Sequence, residues 1–124
     1  METMLALVTL LFIKHAIADF FLQRSFMFRD KHIYGGPGGI IHAATHGVLT
    51  TLAIAICLPN LWLLAIILGL VDVVLHYHID YIKSNWNVKT RATPSENRYW
   101  YVFGLDQMAH FLTYVLIVYI IFIR

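Results

Sequence analysis

The stretch Asp72-Val73-Val74-Leu75-His76-Tyr77-His78-Ile79-Asp80-Tyr81-Ile82-Lys83 closes a strongly apolar run that begins at Leu61. Asp72, His76 and Asp80 recur every four residues, so on a helix they climb one face a turn at a time. Lys83 follows on nearly the same face. Lipid cannot solvate such a face, so other helices must supply its partners.

The chain has 124 residues, of which 60% are hydrophobic and 13% charged. Soluble domains average about 45–50% and about 25%. The imbalance excludes an ordinary soluble domain and implies a polytopic membrane protein. A span takes about 20 mostly apolar residues. Four spans fit, at about residues 3–23, 40–58, 61–83 and 98–123. The expected fold is therefore all-α, one transmembrane domain over residues 1–124 forming a four-transmembrane-helix bundle. The first apolar stretch lacks a basic leader and a small-residue cleavage site, so it is expected to be a retained span rather than a signal peptide.

The connections are short. Residues 25–39 end in Gly35-Gly36-Pro37-Gly38-Gly39, which lacks the Lys-Ser/Thr of a phosphate loop and is expected to be a flexible turn. Pro59-Asn60 is a tight turn, and residues 84–97 form a polar loop. Cys57 is the only cysteine, which excludes an internal disulfide and a thiolate-rich metal site. The net charge of +2 is small, and no aromatic-basic interleaving suits nucleic acid.

Loop charges set an orientation. Arg24, Arg29, Lys31, Lys83, Lys89, Arg91 and Arg98 lie in or beside the two longer connections, and the Pro59-Asn60 turn carries none. By the positive-inside rule both longer connections are cytoplasmic and both termini lie outside. A bacterial inner membrane is the expected location. Trp86, Tyr99, Trp100, Tyr101 and Trp62 fall at span ends as interfacial anchors.

Each span then carries ionisable residues at spacing i, i+4. His15 pairs with Asp19, His42 with His46, Asp72 with His76, His76 with Asp80, and Asp106 with His110. With the orientation above, all of them fall in the cytoplasmic half of the membrane. Nothing in the number of helices requires that coincidence. An aspartate at the centre of a span costs roughly 2.5–3.5 kcal/mol, so four without partners would cost about 10–14 kcal/mol. These side chains must therefore face inward. Hydrogen-bonded glue between helices, a proton or water network, and helix ends solvated by headgroups are the plain readings.

Metal is the sharper one. His and Asp at i, i+4 can reach one ion, and bundles build metal sites from facing helices. The candidate ligands are His15, Asp19, His42, His46, Asp72, His76, Asp80, Asp106 and His110. Nine exceed the four that one tetrahedral site uses, so either two ions bind or some carboxylates orient the imidazoles. Imidazole with carboxylate and no thiolate suits a divalent ion, zinc first, with manganese or iron as alternatives. Lys14 lies about 100° around the helix from His15 and is expected to snorkel to the surface. His78 points away from His76, and His32 is expected to be a solvated loop residue.

The segments His15-x3-Asp19-Phe20-x2-Gln23, His42-x3-His46, Asp72-x3-His76-x3-Asp80-x2-Lys83 and Asp106-Gln107-x2-His110 resemble the signature of a family of small bacterial and phage integral-membrane proteins catalogued as a domain of unknown function. The resemblance covers almost the whole chain. It implies a polytopic membrane protein and supplies no reaction. In chemistry alone, the set is similar to intramembrane metal hydrolases that draw His and Asp from several spans.

Three functions are expected to compete. The first is a membrane-embedded metal-dependent hydrolase acting near the cytoplasmic headgroup region, with activated water as nucleophile and Asp80 or Asp19 as general base. Lys83 would contact an anionic headgroup or pair with Asp80, and the substrate would be a lipid or its headgroup. The second is a structural or partner-binding membrane protein held by a metal or His/Asp cluster. The third is a metal-ion or proton transporter, disfavoured because residues 4–13, 52–58, 61–71 and 115–123 offer almost no polar path, so that a route would need a homo-oligomer.

Overall fold

A computed structural model describes residues 1–123. It is all-helical among these residues, with five α-helices. Helix α1 covers Glu2–Ala16 and continues as a π-helical segment, Ile17–Leu22. Helix α2 is the short Ser25–Arg29, α3 is Pro37–Cys57, α4 is Trp62–Thr90 and α5 is Asn97–Phe122. Four helical stretches are long and apolar enough to cross a membrane: Glu2–Leu22, Pro37–Cys57, Pro59–Thr90 and Asn97–Phe122.

The four long helices pack as an antiparallel bundle with two chemically different halves. One half is filled by Leu7, Leu11, Ile54, Leu68, Ile117 and Ile121. The other half holds the buried His, Asp and Lys side chains. Outside, large apolar side chains such as Leu5, Ile56, Leu70 and Val115 are exposed all round. In water so large an apolar surface would aggregate, whereas in hydrocarbon it is the ordinary state.

Element boundaries depart from the sequence expectation in three places. The third span does not stop near Lys83. Helix α4 continues to Thr90, because Ser84–Thr90 contains no Gly or Pro and Asn85 donates to the His32 carbonyl at 3.2 Å. It ends only where Arg91 turns left-handed, at φ 52°. The expected polar loop is thus half helix. The second difference is in the glycine run. Pro37, Gly38 and Gly39 form the first turn of α3, and the Asp30 carboxylate accepts from the Gly38 and Gly39 amides at 3.0 Å each. Those amides are helix-start donors with no partner inside the helix, so Asp30 acts as the cap. A side chain at Gly38 would collide with the Phe26 carbonyl of α2. The run is a packed joint rather than a flexible turn. Third, the first span is not one α-helix, since its last six residues are π-helical.

At the start of α5 Glu96 accepts from Arg98 Nε at 2.5 Å and from the Thr93 amide at 3.1 Å. The neighbouring guanidinium holds this carboxyl below the usual range.

Helices α3 and α4 approach closely at Gly47 and Gly69. A methyl group on Gly69 would collide with Thr51 Oγ1 and lie 2.7 Å from the Gly47 carbonyl oxygen. Gly69→Ala is therefore expected to destabilise the bundle by about 1–3 kcal/mol through overpacking. Gly104 faces open space, so Gly104→Ala is expected to stabilise α5 by about 0.5–1 kcal/mol. Thermal unfolding of the two variants in detergent checks both signs.

Candidate metal centre

The i, i+4 pairs fold toward one another because each lies on the inward stripe of its helix. His42 and His46 come from α3, His76 and Asp80 from α4, and His110 from α5. Asp19 arrives on the π-helical segment, whose wider turn re-aims side chains relative to an α-helix. There it reaches α3 without leaving His15, which stays 3.3 Å away.

Two overlapping groups of donor atoms result. Asp19, His42, His46 and His76 form one, and His76, Asp80 and His110 the other, with donors in each group within 4.8 Å of one another. A tetrahedral ion with bonds of about 2.0–2.1 Å separates its donors by about 3.3 Å. Asp19 Oδ1 lies 3.0 Å from His46 Nε2 and 3.2 Å from His42 Nε2. His42 Nε2 and His76 Nε2 are 3.2 Å apart. Asp80 Oδ2 is 3.4 Å from His42 Nε2 and 3.5 Å from His76 Nε2. Its Oδ1 is 3.5 Å from His110 Nε2.

This geometry strains a metal-free account. A neutral imidazole offers one N–H. The facing Nε2 atoms of His42 and His76 can share one proton at most, while Asp19 and Asp80 wait on the same nitrogens. The His76 Nδ1 atom is buried with no hydrogen-bond partner among the described residues. A cation at the meeting point takes the facing Nε2 and carboxylate lone pairs together and leaves the His76 proton on Nδ1. The donor set therefore fits a divalent ion.

The other candidates do different work. Asp72 lies outside both groups; Lys14 Nζ donates to its Oδ2 at 2.8 Å and Thr50 Oγ1 at 2.5 Å. His15 Nδ1 and the Tyr114 hydroxyl are 2.8 Å apart, and His15 Nε2 lies 3.2 Å from Gln107 Oε1. Asp106 Oδ2 accepts from Lys83 Nζ and from Gln107 Nε2, both at 3.1 Å. Lys83 is thus placed on Asp106. The cation on Asp80 is Lys31, whose Nζ donates to Asp80 Oδ2 and to Gln23 Oε1, both at 2.6 Å. His78 is exposed, and its Nδ1 lies 2.7 Å from the Val74 carbonyl oxygen.

Lys14, Lys31, Thr50 and Tyr114 are members of the cluster that sequence reasoning missed. Lys14 does not snorkel; it is 5% exposed. A signal for it existed, because Leu7, Leu11, Lys14 and Ala18 follow the i, i+4, i+7 stripe that α1 buries. Lys31 sits in an irregular turn, where no periodicity could reveal it.

The three lysines change the charge balance. Four buried or half-buried carboxylates, of Asp19, Asp72, Asp80 and Asp106, face the ammonium groups of Lys14, Lys31 and Lys83. With neutral histidines one negative charge is left over. One dication turns that into one positive charge, whereas two would leave three in a low-dielectric interior. The residues fit one ion better than two.

A cavity of about 580 Å³ opens at this end of the bundle. Asp19, Asp80, Lys31 and Lys83 line it, with Gln23 and Gln107. Asp19 is the most open member of the first donor group, its side chain 19% exposed.

A family model described as "protein of unknown function (DUF3307)" matches residues 7–124. No curated protein and no solved structure matches the chain.

Proposed function

The chain belongs to the DUF3307 family, whose description names no reaction, and from its own residues we propose a membrane-embedded, metal-dependent hydrolase that works near the headgroup level of the bilayer. The observation that carries this reading is the convergence of Asp19, His42, His46 and His76, whose donor atoms all lie within 4.8 Å of one another, with Asp19 lining a cavity.

The orientation with both termini outside supports a cytoplasmic opening. Lys31 and Lys83 are engaged inside the bundle. Even without them, Arg24, Arg29, Lys89, Arg91 and Arg98 stand at the cavity end against no basic residue in the Pro59-Asn60 turn. A bacterial inner membrane fits this arrangement.

In this reading His42, His46 and His76 hold one divalent ion, zinc by preference. A bound ion supplies a water acidified to a pKa of about 7 and polarises the scissile group. Asp19 takes the proton as the water oxygen attacks. Asp19 would hand that proton on to the departing ester oxygen, and Lys83, which also lines the cavity, would balance negative charge. Asp80, held in place by Lys31, would orient the His110 imidazole.

A second reading has its own support. Asp19 Oδ1 already sits 3.2 and 3.0 Å from the His42 and His46 Nε2 atoms, close to the separation of two ligands on one ion. As a fourth ligand it would close the tetrahedron and make the ion structural, because catalytic sites keep an open position. Transport has less support, since Leu7, Leu11, Ile54 and Ile117 fill the far half of the bundle.

Metal analysis of the purified protein tests the proposal, beside Asp19→Ala. One ion per chain is expected in the parent. As a hydrolase, the chain should stay folded on chelation, and Asp19→Ala should retain metal while losing about 10²–10⁴-fold in turnover. As a structural site, chelation should collapse the bundle and Asp19→Ala should lose the ion. Parent protein without stoichiometric metal would sink both.

A further inference from the structure

The cavity has walls of two kinds. Arg29, Lys31 and Lys83 line it as cations, and Phe20, Phe28 and Phe103 as apolar rings. Lys31 and Lys83 already carry carboxylate partners at 2.6 and 3.1 Å. Arg29 makes no ion pair or side-chain hydrogen bond with any described residue, although Asp19 and Asp80 line the same cavity. Asn87 also lines it, and its Oδ1 is buried without a hydrogen-bond partner among the described residues. This oxygen is an acceptor, so its hydrogen bond must come from a water or a ligand O–H beside the anion rather than from a phosphate oxygen. Phe20 and Phe28 are among the most exposed aromatic side chains of the bundle, at 75% and 66%.

Each observation limits the ligand. Arg29, together with the remaining N–H donors of Lys31 and Lys83 beyond those on Asp80 and Asp106, suits an anion with more than two oxygens. A carboxylate is satisfied by one bidentate arginine, while a terminal phosphate presents three acceptors in different directions. The rings exclude a ligand that is polar throughout, since they would have to be wetted by it. Basic pockets between membrane helices at the charged surface are where headgroup phosphates bind. We infer that this cavity binds a phosphate monoester carried on an apolar chain, its phosphate among Arg29, Lys31 and Lys83 and its chain along the phenylalanines. As a substrate assignment this rests on the hydrolase reading, but as a binding site it stands without it.

The test is a phosphorus NMR titration of the purified full chain in neutral detergent. The probes are dihexanoyl phosphatidate, inorganic phosphate, dihexanoyl phosphatidylcholine and, by competition, decanoate. Bound ester and released inorganic phosphate give separate signals, so binding and hydrolysis are read apart. Phosphatidate is expected to bind at least about tenfold more tightly than the other three. Arg29→Ala is expected to weaken it about fivefold, the order of one surface cation acting on an anionic lipid. Phe28→Ala should weaken phosphatidate and leave inorganic phosphate unchanged. Both residues are exposed, so both variants should fold.

Equal affinity for phosphatidylcholine or decanoate would overturn the inference, as would indifference to Arg29→Ala. Inorganic phosphate binding as tightly as phosphatidate would overturn the amphiphile and identify a free-phosphate site. Phosphatidate bound but never cleaved by metal-loaded protein would remove the hydrolase reading and leave the binding site standing. Cleavage of the ester with no dependence on Arg29 would do the reverse.

Discussion

Lys14→Met is expected to destabilise the bundle by about 3–5 kcal/mol, the range found when one partner of a buried ion pair is removed. Lys14 and Asp72 are 5% and 1% exposed. Without the ammonium, Asp72 keeps one partner, the Thr50 hydroxyl, against a full negative charge in an apolar surrounding. The loss would approach the total stability of many domains, so low yield is part of the expected result. Adding Asp72→Leu to Lys14→Met should restore most of the stability, because removing both charges removes the desolvation penalty with them. Denaturant unfolding in detergent of the parent, the single and the double variant gives the comparison. A single variant as stable as the parent would show that Asp72 is not held as a charge.

The second large effect is at His76, the one residue shared by both donor groups. His76→Ala removes a donor wherever the ion sits. The loss of metal affinity is expected to exceed the 10–100-fold that follows removal of a group supporting a ligand. His15→Ala is the contrast. His15 touches Asp19 at 3.3 Å and belongs to neither group, so its loss should fall within that 10–100-fold range. Competition with a chromophoric chelator measures both. Equal losses would mean that His15 is itself a ligand or that His76 is not.

Much of the fold was legible before any coordinates. A span announces itself by length and apolarity, because backbone groups in hydrocarbon must bond within their own helix. The i, i+4 pairs were legible for the same reason, since a titratable side chain in such a run stands out against its neighbours. Helix ends were harder. Residues 84–90 look like a loop by polarity, yet nothing in them breaks a helix, and a helix can outrun its apolar part. The π-helical turn at Ile17–Leu22 has no composition of its own, and the contacts it gives Asp19 with His42 and His46 lie on another helix.

The same contrast holds within the cluster. His42, His46 and His76 could be chosen by spacing, but their roles could not be separated from those of His15 or Asp106. Roles depend on which helix stands opposite, and that is a property of three-dimensional packing. Lys14 shows the cost of judging a cation by its habit, since its place on the α1 stripe outweighed its tendency to reach water. Asp30 reads as an ordinary loop carboxylate, and only the approach of α2 to α3 makes it a cap.

The three lysine pairs also bear on how the chain is made. Lys14 joins Asp72, Lys31 joins Asp80 and Lys83 joins Asp106, so every pair has one member on α4. Lys14 leaves the ribosome 58 positions ahead of its partner. In the bilayer placement proposed here, the first segment would have to wait at the insertion machinery, its ammonium near the interface, until α4 is delivered. Biogenesis would then turn on α4: its arrival supplies the partners of Lys14 and Lys31, and α5 follows with Asp106 for Lys83.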